Sequence, residues 1–97
     1  MNNAELYESL LGEFVRENDF KNAKDALESG DMKLLFEYIH TMKGVTGNLS
    51  LNSLYRACCV LTEKLRANDF DDISAEFNKV YAIYEEIVEA IHNAAQN

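Results

Sequence analysis

The chain has 97 residues, 47% of them apolar, with no proline and four glycines, a composition that suits a single all-α domain and leaves too little material for a catalytic domain plus a regulator. Its formal charge is −8, from 17 acidic and 9 basic residues, and no basic run is present to neutralise phosphates, which argues against nucleic-acid binding. No apolar run approaches the roughly 18 residues that span a bilayer, and Met1-Asn2-Asn3 lacks the basic and apolar regions of a signal peptide, so a cytoplasmic chain without direct membrane contact is expected, even as one piece of a membrane-attached protein.

Asn3 can cap a first helix that runs through about Glu17 and carries Leu6, Leu10, Leu11, Phe14 and Val15 as its apolar stripe. Asn18-Asp19 interrupts the pattern. A shorter second helix from about Phe20 to Ser29 turns Phe20, Ala23, Ala26 and Leu27 inward, and Gly30 stops it in the left-handed conformation. Asp31 then caps a third helix, about Met32 to Thr46, which Gly47-Asn48 is expected to end because both residues tolerate positive φ. Leu49 to Asn52 makes a tight connection to a fourth helix, about Ser53 to Ala67, with Leu54, Cys58, Leu61 and Leu65 inward and Arg56, Glu63, Lys64 and Arg66 in water. Asn68-Asp69 ends it, and Asp71 or Asp72 caps the last helix, where Ile73, Phe77, Val80, Tyr84, Ile87 and Ile91 recur at near-heptad spacing as far as about Ala94. Short connections favour an antiparallel four-helix bundle with an additional N-terminal helix, all one domain over 1–97, without internal repeat, linker or low-complexity segment.

The third helix is two-faced. Leu35, Tyr38, Ile39, Met42, Val45 and Leu49 recur on one side as a core stripe, whereas His40, Lys43, Gly44 and Gly47 fall at i, i+3, i+4 and i+7 on another. A glycine costs roughly 1 kcal/mol against alanine in a helix interior, so two beside a histidine imply that something must approach the imidazole closely. His40 points away from the core on this reading, with Phe36, Glu37, Thr41, Gly44, Gly47 and Asn48 as a docking patch and Phe36 as its exposed apolar anchor. Glu37 suits either of two roles, orienting the imidazole from three residues back or lying solvated at the surface.

His40-Thr41-Met42-Lys43-Gly44 followed by Gly47-Asn48-Leu49 resembles the histidine-containing phosphotransfer (HPt) domains of multistep phosphorelays, and the likeness extends in order and length over nearly the whole chain. One departure is Ser50, where many relatives carry glycine or alanine. The resemblance implies that His40 accepts and donates a phosphoryl group, that response-regulator receiver domains are the partners, and that the receiver brings its own aspartate and Mg²⁺, with no cofactor bound by this chain. A monomer is expected, and whether it is a free-standing protein or the C-terminal part of a hybrid sensor histidine kinase is left open.

The residues agree with such chemistry on physical grounds. An exposed neutral imidazole, with an ordinary pKa of about 6.5, is nucleophilic near neutral pH without a dedicated base. Lys43, one turn on, would meet the added negative charge with an attraction on the order of 1 kcal/mol in solvent. Gly44-Val45-Thr46-Gly47 lacks the lysine and the length of a nucleotide-binding loop, so the chain has no means of loading itself from ATP. A rival reading is a helical adaptor with the same fold that binds a partner and transfers nothing. A third, a small metal-binding bundle, finds little support: no Cys-x-x-Cys pair exists, His40 and His92 lack ligand spacing, and no metal ligand is assigned. Cys58 and Cys59, adjacent on a helix, project about 100° apart and read as structural thiols. His92, near the end of the last helix, is most simply a partner for the helix dipole.

Overall fold

Among the described residues five helices follow one another: α1 (Asn3–Arg16), α2 (Asp19–Ser29), α3 (Met32–Asn48), α4 (Asn52–Arg66) and α5 (Ile73–Ala95). The computed structural model describes residues 3–95, and no strand occurs among them. The side chains of Asn3, Ala4, Leu6 and Ala95 lie outside the description, and with them the expected Asn3 cap and the Leu6 position of the first stripe.

The helix ends show how local chemistry sets the element lengths. Gly30 stops α2 at φ 79°, with its own amide donating to the Leu27 carbonyl and the Asp31 amide to that of Ala26. The Asp31 carboxylate then accepts the Leu34 amide at 3.0 Å and opens α3. At the far end α3 runs two residues beyond the expected stop. Gly47 and Asn48 are helical, and the left-handed residue is Ser50, at φ 57°. The Leu51 amide bonds the Thr46 carbonyl at 3.0 Å and the Ser50 amide that of Gly47 at 3.2 Å, the paired closure that a left-handed residue makes possible. Asn68 closes α4 in the same way at φ 55°. Asp72 sits at the start of α5 with its carbonyl accepting the Glu76 amide, and it too is left-handed, at φ 56°.

The core forms where α3 packs on α2 and α4, and α4 on α5. Leu35, Ile39 and Met42 of α3 meet Leu54, Cys58, Leu61 and Leu65 of α4, with Phe77, Val80 and Tyr84 of α5 beyond, all buried. Phe14, Phe20 and Tyr84 join α1, α2 and α5 in an aromatic cluster with ring centroids 4.6 to 6.5 Å apart. The first stripe is weaker than its spacing implies. Phe14 is fully buried, Leu11 and Val15 are half-buried, and Leu10 is 39% exposed, because α1 meets mainly α5. A hydroxyl anchors it instead: Tyr7 donates to the Leu49 carbonyl at 2.7 Å. The second half of the α5 seam, Ile87 and Ile91, is only half-buried, and Lys64 is half-buried rather than free in water. Two buried threonines went unmarked by the apolar pattern. Thr46 donates to the Lys43 carbonyl at 3.1 Å and Thr62 to the Cys58 carbonyl at 2.7 Å, so each satisfies its hydroxyl within its own helix.

Cys58 is fully buried, and burial with the added charge of Cys59 pushes its thiol up to about 12. Its thiolate is disfavoured in the fold, so this contribution to stability is present below the ordinary thiol value and is lost as pH rises through 9 towards about 12. Half-buried Cys59 is the accessible thiol, so a disulfide reagent at pH 8 is expected to titrate one thiol in the folded protein and two in denaturant; two fast thiols in the native state would contradict the packing. Ser50→Gly removes a β-carbon from a left-handed position and is expected to raise stability by a few tenths to about 1 kcal/mol, read as a higher Tm.

Candidate functional site: the outer face of the third helix

The buried side of α3 fixes which residues face out. With Leu35, Ile39, Met42 and Thr46 wholly buried, α3 has no freedom to roll, and His40, Gly44, Gly47 and Asn48 are left exposed, with Lys43 half-buried beside them. These five line a shallow groove whose far wall is Asn52 and Tyr55 of α4. His40 and Lys43 therefore share one open surface, and Lys43 makes no ion pair among the described residues.

The two glycines differ in what they do. A β-carbon on Gly44 would meet nothing within 4 Å, so the bare backbone there faces open space. A β-carbon on Gly47 would lie 3.2 Å from Cδ1 and Cε1 of Tyr55, closer than ordinary contact. A side chain at Gly47 would press on the Tyr55 ring, an internal neighbour, whereas nothing inside the protein opposes one at Gly44. Tyr55 went unnoticed in the sequence because it belongs to the next helix, and spacing within α3 carries no information about it. The Cys59 thiol one turn on pushes the Tyr55 phenol's pKa up, as a hydrogen-bonding neighbour first and through its charge second.

Phe36 departs from expectation. It is half-buried and packs on the core rather than standing free as an apolar anchor. Its ring stacks on that of His40, with centroids 5.6 Å apart and planes 9° from parallel, and the Arg66 guanidinium lies 5.7 Å from its centroid. Arg66 is also paired with Glu63 one turn back. Glu37 is exposed, and its side chain makes no hydrogen bond to His40; its carbonyl accepts the Thr41 hydroxyl at 3.0 Å. Thr41 and Asn48 border a second depression with Leu10, Glu13, Glu17 and Asp19, so acidic residues of α1, α2 and the link between them flank the histidine face.

Among the described residues no three metal-ligating side chains come together, and no helix is long and apolar enough to cross a membrane. His92 lies exposed in the last turn of α5.

The glycine contrast sets a stability test. Gly44→Ala is expected to raise stability by up to about 1 kcal/mol through helix propensity alone. Gly47→Ala should gain less or lose, because the Tyr55 ring must move; the same substitution in a Tyr55→Ser background should recover the propensity gain. Equal Tm increments for both glycines in the native background would refute the contact.

The sequence matches the family model of the Hpt domain over residues 9–96. No curated protein and no solved structure matches the chain. Hpt domains are phosphocarriers of multistep phosphorelays, have no ATP site of their own and interact with response-regulator receiver domains. With a match that covers nearly all its residues, this all-helical chain belongs to the Hpt domain family.

Proposed function

We propose that the protein carries phosphoryl groups on His40, taking them from and returning them to the aspartate of receiver domains. The observation that supports this most is the pairing of faces on α3: a fully buried stripe of Leu35, Ile39 and Met42 behind, and in front an exposed imidazole beside a Gly44 that no internal contact requires. In the forward step a ring nitrogen of His40 attacks the phosphorus, a P–N bond forms, and the P–O bond to the receiver's aspartate breaks to release a carboxylate. The other ring nitrogen keeps the N–H and can release that proton to water. The reverse step runs through the same atoms, so no separate base is needed.

The remaining parts of the reaction come from the partner. In-line phosphoryl transfer calls for charge neutralisation by a metal ion, and the receiver would supply Mg²⁺ with its acidic residues. Lys43 would add a solvent-screened attraction for the phosphorylated imidazole, on the order of 1 kcal/mol, enough to tune lifetime rather than create reactivity. Thr41, Asn48 and Glu37 belong to the surface the receiver covers, and the open space over Gly44 admits the partner's backbone. On this reading α2 to α5 are the four helices of the family bundle, α1 is an added N-terminal helix, and the protein works as a monomer within the cytoplasm, whether free-standing or joined to a hybrid kinase.

Incubation with a phosphorylated receiver domain and Mg²⁺ tests the proposal. The expected product is an acid-labile, base-stable label, absent in His40→Gln, whose helicity and melting stay near those of the parent. A stable complex without label would favour the adaptor reading. Lys43→Ala is expected to slow transfer or shorten the phosphorylated lifetime several-fold at low ionic strength and less at high salt. Gly44→Gln should block transfer in a protein that still folds; transfer at the parental rate would show that the face needs no close approach.

A further inference from the structure

An imidazole on an open helix surface is free to change rotamer, and a nucleophile must spend its time in one orientation to react in line. The usual restraint is a hydrogen bond to the second ring nitrogen. Here no protein group among the described residues provides one, and Glu37, the acidic residue one turn before His40, does not reach it by a hydrogen bond. What touches the imidazole is a ring. Phe36 lies parallel to it at 5.6 Å between centroids and 9° between planes, the (i, i+4) geometry that brings side chains together on a helix.

Phe36 is itself held. It is half-buried against the core, and the Arg66 guanidinium from the last turn of α4 sits 5.7 Å from its centroid while pairing with Glu63. A parallel ring beside the imidazole limits its rotation without hydrogen-bonding either nitrogen, so the attacking lone pair stays free. It restrains the ring without consuming the nucleophile.

We propose that Phe36 is a positioning residue for His40, braced by Arg66 across the α3–α4 interface, and that it acts on the chemical step rather than as an apolar anchor for the partner. This rests on His40 being the phosphoacceptor. Loss of an aromatic pair is expected to slow phosphorylation roughly 2- to 12-fold, the range to which such couplings convert.

The test uses the full chain as wild type, Phe36→Leu, Phe36→Tyr and Arg66→Gln, with phosphoramidate as a donor that has no docking surface. In wild type the His40 ring protons should show an upfield ring-current shift by NMR. Phe36→Leu should lose that shift and slow labelling by phosphoramidate roughly 2- to 12-fold; with a phosphorylated receiver, kcat should fall more than KM rises. Phe36→Tyr should restore both readouts. Arg66→Gln alters an exposed side chain that does not threaten folding, and should lose part of the shift and part of the rate in the same direction. An unchanged phosphoramidate rate with a raised KM for the receiver would overturn the proposal and make Phe36 a docking anchor; an unchanged ring-current shift in Phe36→Leu would overturn it as well. Persistent label in His40→Gln would instead remove the phosphoacceptor reading itself, an outcome distinct from either.

Discussion

Everything at the candidate site depends on the roll angle of α3. A helix presents its faces at about 100° per residue, so fixing one stripe in a core fixes every other stripe relative to the bundle. Leu35, Ile39 and Met42 are wholly buried, and Leu54, Cys58 and Leu61 close over them from α4. Truncating one such side chain costs about 2 to 5 kcal/mol, which is a large part of a small domain's stability, so a rolled α3 is not an accessible alternative. The histidine face inherits its precision from that packing. A histidine on a loop would need its own restraints; on α3 it needs only the choice of side-chain rotamer, which the ring of Phe36 is placed to influence.

The division of labour with a partner follows from the same geometry. The chain offers an exposed imidazole, one neighbouring lysine and a bare stretch of backbone at Gly44, and its sequence carries no phosphate-binding loop. Its net charge of −8 would oppose a phosphorylated, acidic partner at long range, but beyond a Debye length of about 8 Å salt removes most of that opposition. On the proposed reading, docking is won by short-range contact around His40. The depression bordered by Glu13, Glu17, Asp19, Thr41 and Asn48 makes the surface on one side of the histidine acidic, while Lys43 lies in the groove on the other. A polarised face of this kind helps to set the orientation of a partner more than the strength of its binding.

Much of this was legible in the sequence because helical periodicity reports which residues share a face. The burial of Leu35, Ile39, Met42 and Leu49, the stripe of α4 and the exposure of His40 and Gly44 follow from spacing, and the caps at Gly30 and Asp31 from residue chemistry. Tyr38 and Val45, placed on the same α3 stripe, are only half-buried. What spacing does not report is contact between helices. Tyr55 is invisible from α3, so spacing does not show that the Gly47 backbone, exposed in the groove beside His40, also faces a ring of the next helix. Arg66 is invisible in the same way, so Phe36 looked free. The end of α3 was misplaced for a different reason: Gly47 and Asn48 have the conformational freedom for a left-handed cap, but the carbonyls of Thr46 and Gly47 find their donors only if Ser50 takes it. The weak first stripe, with Leu10 half in water, reflects a helix that has one main neighbour rather than two.

The central claim is that the nucleophile is the imidazole on the outer face of α3. The most direct measurement is a long-range ¹H–¹⁵N spectrum of the two imidazoles before and after addition of a phosphorylated receiver with Mg²⁺. The expected result is a large shift of one His40 ring nitrogen, with phosphorus coupling to it, while the His92 signals stay in place. Phosphorylation at His92, or a stable complex in which neither imidazole acquires phosphorus coupling, would contradict it.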